Sequence, residues 1–339
     1  MEPFIRLWLG HSRPKQYCAF AGSRTMLEHT YRRALDLVEP RRIVTVIGDD
    51  HRRYLDEPRR LDTPGRIIEQ PRRRDTGPGV LLPLTYVMSQ DPDAIVAIMP
   101  SDHFIHPREK FESFLDEAYR LADYLPGQIV LLSARPDRAE SEYGWISPGM
   151  NLPGRRAVLV NKFKEKPGAA EAAKLHRHGG LWNTMIMVGR VSAFWEITRS
   201  LQPSMMSRFD ALRPWMGRPE EAEAVALAYR TMESVNFSRD VVERSADWTV
   251  ALPMDGVLWC DWGRPRRIAE TLAEIGATPS FPAKIIGESE TSETMESRGE
   301  RGYERYGQDH AGEEAARDRF PPRGRNRDLA VLHVPHRGA

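Results

Sequence analysis

The sequence predicts an α/β domain built on a mostly parallel sheet, on three observations. Short apolar runs rich in β-branched residues recur along the chain at strand length. Between them, apolar residues repeat at helical spacing. The two patterns alternate, as strand–helix–strand units do. A length of 339 residues allows about two domains of roughly 150 residues, or one large domain with a tail. A hydrophobic content of 40% supplies a core and excludes wholesale disorder.

The elements follow in order. Leu27, Tyr31, Ala34, Leu35 and Val38 share one helix face, with Ser23 or Thr25 available as the cap. Ile43–Ile47, Ala94–Met99, Ile129–Ser133 and Thr184–Val188 read as buried parallel strands. Val158–Phe163 and Trp248–Leu252 are strand candidates of mixed pattern. Phe111, Phe114, Leu115, Ala118 and Leu121 mark a second helix, and Val191–Leu201 and Arg264–Ile275 two more. From Gly287 the chain turns to Glu, Arg, Gly and Ser, with almost no aliphatic residue before Leu329. The expected organisation is a domain over 1–286 and a polar, disordered tail over 287–339. Removing that tail is expected to leave the melting temperature nearly unchanged. Leu329–Val334 is a short apolar patch near its end.

Composition excludes several classes. The formal net charge is +1, from 49 Lys+Arg against 48 Asp+Glu, which argues against a nucleic-acid binder. No apolar run approaches the ~20 residues needed to span a bilayer. Met1–Arg6 lacks the order of a secretory signal. Two cysteines, Cys18 and Cys260, make no disulfide framework and suit a reduced cytosol. The expectation is a cytoplasmic chain without membrane or nucleic-acid partners.

Candidate chemistry sits at the predicted strand ends. Pro100-Ser101-Asp102-His103 follows the strand Ala94–Met99, where α/β proteins place ligands, although Ser and Asp there also start ordinary turns. Cys260-Asp261-Trp262-Gly263 supplies a second carboxylate, and two aspartates suit Mg²⁺ with substrate phosphates. His103 with His106, and His176 with His178, match no closed zinc site. Pro14-Lys15-Gln16, Pro71 through Thr76, and Phe163-Lys164-Glu165-Lys166-Pro167 offer lysines and arginines. Each is an ordinary solvated segment taken singly; together they provide what phosphate binding requires. Tyr143-Gly144 permits close backbone approach to a ligand, and Asn183 offers a donor and an acceptor to hydroxyl groups.

The ordered set is more specific than its members. Lys15-Gln16, Arg74-Asp75-Thr76-Gly77-Pro78, Ser101-Asp102-His103, Tyr143-Gly144-Trp145-Ile146, Phe163-x-Glu165-Lys166-Pro167, Leu181-Trp182-Asn183 and Asp261-Trp262-Gly263 resemble the sugar nucleotidyltransferases over residues 3–275. The likeness is greatest to the mannose-1-phosphate guanylyltransferase branch. It implies a Rossmann-like domain with a mostly parallel mixed sheet. The implied reaction joins GTP to mannose 1-phosphate, giving GDP-mannose and releasing pyrophosphate. By the same resemblance Asp102 and Asp261 would hold Mg²⁺, and Lys15, Arg74 and Asp102 would serve the nucleotide. Lys166 would meet the sugar phosphate, and Tyr143, Gly144, Glu165 and Asn183 the sugar; Lys15 and Lys166 are the catalytic candidates. A homodimer is compatible with it. The alternatives are a non-catalytic sugar-nucleotide-binding or regulatory homologue, or an enzyme using another base or hexose 1-phosphate.

One departure is expected to matter. The family opens with a central strand and a Gly-rich loop that holds the triphosphate, and residues 1–13 contain neither. The chain as given is therefore expected to bind GTP poorly. It also lacks the further segment of the long guanylyltransferase–isomerases, so isomerase activity is not expected.

Overall fold

The computed structural model describes residues 1–56, 63–289 and 328–333. It is an α/β fold around a mixed sheet. The first helix, α1 (Glu2–Leu9), ends on Gly10 at φ 76°, a left-handed cap that glycine adopts without a Cβ clash. Helix α2 (Met26–Leu35) begins as expected, with a full capping box: Glu28 N donates to Thr25 Oγ1 and Thr25 N to Glu28 Oε2. The expected strands appear as β1 (Ile43–Gly48), β3 (Ile95–Pro100), β5 (Ile129–Ala134), β7 (Val158–Lys164), β8 (Leu181–Arg190) and β9 (Thr249–Pro253). The expected helices are α5 (Arg108–Tyr124), α7 (Val191–Leu201) and α11 (Pro265–Glu274). Between them lie α3 (Arg52–Leu55), β2 (Arg66–Gln70), α4 (Thr76–Gln90), β4 (Phe104–His106), β6 (Trp145–Asn151), α6 (Ala169–Arg177), α8 (Pro203–Leu212), α9 (Glu221–Arg230), α10 (Phe237–Asp240) and β10 (Leu258–Cys260).

The main sheet runs β2-β1-β11-β3-β8-β5-β9-β7-β6, where β11 is Asp328–His333. β2, β1, β11 and β3 are mutually parallel. β8 is antiparallel to both β3 and β5, so Thr184–Val188 is a buried strand but not a parallel one. An apolar run buried on both faces reads alike in either direction, so its orientation had no signature. One face of the sheet is covered by α2 and α5, with Tyr31, Phe111 and Leu115 inward. The other is covered by α4, α7 and α8, with Leu81, Phe194 and Phe209 inward. Helix α4 is apolar almost all round because it is buried almost all round. A third apolar cluster joins Phe4 and Ile5 of α1 to Phe20, Trp262, Phe281 and Ile268 of α11.

The tail needs a correction. Residues 328–333 do not stay outside the fold: they form β11, between β1 and β3. A run with four consecutive apolar residues, Leu329–Leu332, suffices to build a strand once two strand edges lack partners. The expected disorder of 290–327 and 334–339 lies outside the described residues. The expected gap at the centre of the sheet is filled from the far end of the sequence.

Candidate active site

A cavity of about 290 Å³ opens where β3 ends, with lining from seven separate segments. Arg73, Arg74, Asp75 and Thr76 form the turn from β2 into α4; Asp102 and His103 follow β3, and Asp261 follows β10. Glu142, Tyr143 and Gly144 precede β6, Glu165 and Lys166 follow β7, and Asn183 and Met185 lie in β8. The C-terminal ends of the parallel β2 and β3 meet there with the starts of the antiparallel β6 and β8.

The charges interlock. Lys15 Nζ lies 2.8 Å from Asp102 Oδ2 and also donates to the backbone carbonyl of Asp261. One buried ammonium thus bridges two aspartates distant in sequence. Asp261 Oδ1 accepts from the Tyr143 hydroxyl at 2.8 Å, the Gly263 amide at 2.9 Å and Arg267 Nη1 at 3.2 Å. Burial alone would raise the Asp261 pKa, but Lys15, His103, the Gly263 amide and Tyr143 outweigh it and hold the carboxyl below the usual carboxylate range. Arg267 Nη2 reaches Glu142 at 3.0 Å and Glu140, and its guanidinium lies 5.0 Å from the Tyr143 ring centroid. The Trp259 indole donates to His103 Nδ1 at 3.3 Å.

Local backbone is strained where side chains must be aimed. Asp75, Lys166, Met185 and Trp262 have φ of 63°, 45°, 58° and 47°; the first three line the cavity and the fourth follows Asp261. Such conformations cost of order 1–3 kcal/mol each and persist only where surroundings enforce them. At Gly144 a Cβ would lie 2.7 Å from Glu165 Oε2 and 2.8 Å from Phe163 Cζ. That contact, with Asn183 N donating to Gly144 O at 2.8 Å, brings three sugar-site candidates together. Burial raises the Glu165 pKa, against the opposing charge of Lys166. Arg74 Nε and Ser101 Oγ are buried without a hydrogen-bond partner.

A model of the nucleotidyl transferase family matches residues 5–277. The chain belongs to that family. It is 29% identical over 266 residues to the xanthan biosynthesis protein XanB of Xanthomonas campestris pv. campestris, covering 76% of this chain and 55% of that one. It is 30% identical over 262 residues to the mannose-1-phosphate guanylyltransferase ManC of Salmonella typhimurium, covering 74% and 53% respectively. The chain thus spans about half the length of these curated relatives. Among solved structures, a Thermus thermophilus protein described as a mannose-1-phosphate geranyltransferase matches with a TM-score of 0.64 at 26% identity, covering 76% of this chain and 74% of that one.

Within this nucleotidyl transferase, Arg74, Asp102, Tyr143, Gly144, Glu165, Lys166, Asn183 and Asp261 all line the one cavity, and Lys15 joins it through Asp102. The Tyr143 hydroxyl donates to Asp261 and accepts from Arg267, which leaves its ring and backbone facing the cavity. Sequence reasoning missed Arg267, Asn236 and Ser238. Asn236 caps α10 and donates to Asp75 Oδ1 at 3.2 Å, while Phe237 N donates to Thr76 Oγ1 at 2.8 Å. The signal for Asn236 was an N-cap residue ahead of Phe237. For Arg267 it was the shared spacing of Arg267 and Thr271 beside Ile268 and Leu272, which turns an arginine toward the core. Both cysteines are free and buried. Among the described residues no helix is long and apolar enough to cross a membrane.

Proposed function

We propose that this chain transfers a guanylyl group from GTP to mannose 1-phosphate, releasing pyrophosphate and giving GDP-mannose. The observation that supports it best is the convergence of Lys15, Arg74, Asp102, Asp261 and Lys166 with Gly144, Glu165 and Asn183 at one cavity. A phosphate oxygen of the sugar phosphate attacks the α-phosphorus, and the bond to the bridging oxygen of the β-phosphate breaks. The attacking group is already anionic at neutral pH, so no general base is needed, and catalysis rests on in-line placement and charge neutralisation. Lys166 is assigned to the sugar phosphate. Arg74 is assigned to the nucleotide, where a phosphate oxygen would give its orphaned Nε an acceptor. Glu165, Asn183 and the Gly144 backbone are assigned to the sugar hydroxyls.

The donor set suits Mg²⁺. Asp102 and Asp261 offer hard oxygens, and Asp261 is kept ionised by its neighbours. Among the described residues no group of three acidic, His or Cys side chains forms an all-protein cage. Two carboxylates completed by phosphate oxygens and water are a usual Mg²⁺ arrangement. When bound, the ion would neutralise charge on the phosphates. Tyr143, Gly263 and Arg267 orient the Asp261 carboxylate, while Lys15 sets that of Asp102. The test is pyrophosphate release across GTP, ATP, UTP and dTTP, each with mannose 1-phosphate and glucose 1-phosphate. GTP with mannose 1-phosphate should exceed every other pair in kcat/KM by tenfold or more. A higher value for another pair reassigns the substrate, and no release with any pair removes the catalytic reading.

A further inference from the structure

Met185 sits in the cavity wall at φ 58°, a left-handed backbone that glycine adopts freely and a side chain resists. The local chain holds it there. Along β8, Ile186 pairs with Leu132 and Asn183 with Ser133, so Thr184 and Met185 bulge out of the ladder between them. The bulge is fastened on three sides. Thr184 Oγ1 donates to Leu132 O at 2.5 Å, Ile186 N to Thr184 Oγ1 at 3.2 Å, and Met185 N to Asn183 Oδ1 at 3.2 Å. Bulges of this kind re-aim a side chain. Here the thioether meets α10, where Ser238 Oγ donates to Met185 Sδ at 2.8 Å. Methionine is ordinarily a flexible filler that yields to a ligand. Ser238 is itself buried at the cavity wall, so the hydroxyl that pins the sulfur is fixed in place.

The pinned side chain stands beside Asn183, one of the groups assigned to the sugar hydroxyls. At about 290 Å³ the cavity is at the lower end of the ~300–1,000 Å³ usual for small-molecule sites, so one side chain takes a material share of it. We propose that Met185 is a specificity-determining residue: it walls the sugar end of the cavity and restricts it to hexose 1-phosphates without a bulky substituent such as an N-acyl group. Met185 has this role only where the cavity takes a sugar phosphate, as proposed above. A methionine side chain and an acetamido group each have four non-hydrogen atoms, so the wall excludes a group of about its own size. Glycine would relax the backbone at this position, and it would also open the wall. A strained methionine is retained where strain serves recognition.

The test compares mannose 1-phosphate with analogues carrying an acetamido group in place of the hydroxyl at carbon two, four or six. Met185→Gly suits the left-handed backbone and removes the wall. For at least one analogue, kcat/KM relative to mannose 1-phosphate should rise tenfold or more over wild type, since one extra or missing methylene in a pocket is already worth about 10–200-fold. Met185→Leu keeps the volume and should hold that ratio within about twofold of wild type. Titration calorimetry of the same sugar phosphates, with Mg²⁺ and a non-hydrolysable GTP analogue, gives the matching ratios of Kd. A wild type that binds mannose 1-phosphate without turnover would count against the proposed reaction, and the Kd ratio would still decide the role of Met185. No gain for Met185→Gly in either measure, including no binding of any analogue, overturns that role. A Met185→Leu chain that gains as much as Met185→Gly also overturns it. Should Met185→Gly fail to fold, Met185→Ala is read by the same criteria.

Discussion

Replacing Arg267 by methionine keeps much of the side-chain volume and removes one buried charge. Only 6% of the Arg267 side chain is exposed, and its acidic partners Asp261 and Glu140 are 11% and 14% exposed. Glu142, the third partner, is 44% exposed and can turn to water. The lesion therefore leaves two largely buried carboxylates without the cation they share. Removing one member of a buried ion pair costs about 3–5 kcal/mol, because the remaining charge stays desolvated. For a domain of this size, at about 2–4 °C per kcal/mol, the melting temperature should fall by roughly 6–20 °C. Arg264→Met is the matched control: that arginine pairs with Glu142 at 2.5 Å but is 61% exposed, so its loss should cost under about 1 kcal/mol. Circular dichroism melts and urea titrations of both variants measure the difference. Equal stability of the two would refute the account of Arg267 as the counter-charge of a buried acidic cluster.

Three further outcomes are expected. Asp102→Asn should slow pyrophosphate release by about 100-fold or more at saturating Mg²⁺, as loss of one aimed electrostatic contact typically does; a near-normal rate would remove Asp102 from the reaction. Gly144→Ala should raise KM for the sugar phosphate with little change in KM for the nucleotide, since the added Cβ meets Glu165 Oε2 at 2.7 Å and Phe163 Cζ at 2.8 Å; unchanged kinetics would separate Gly144 from the sugar site. Outside the site, burial and a hydrogen bond with Asp36 push the Glu112 pKa up to about 7. A raised folded-state pKa gives stability that is present below the unfolded value, near 4.5, and is lost as pH rises through about 7. Melts from pH 4 to 8 should therefore show the wild type losing ground to Glu112→Gln as pH rises, and parallel curves would contradict the shared proton.

Local sequence determined the elements whose signal is local. The run Ile43–Ile47 could only be a buried strand, Thr25 with Glu28 wrote a capping box before any tertiary contact, and Val191–Leu201 carried one apolar face from end to end. The residues of the candidate site were legible for a similar reason: Asp102 and Lys166 sit at strand ends, and their order along the chain was itself a signature. Tertiary structure decided what depends on partners. Thr184–Val188 runs antiparallel because β3 and β5 both face it that way, which no side-chain pattern encodes. Arg267 became part of the site only when helix packing set it against Asp261, Glu140 and Glu142. Asp328–His333 looked like an apolar patch in a polar tail and became the strand between β1 and β3. Strand pairing is a demand made by the neighbouring backbone edges, and those edges meet the segment only after the rest of the sheet has formed.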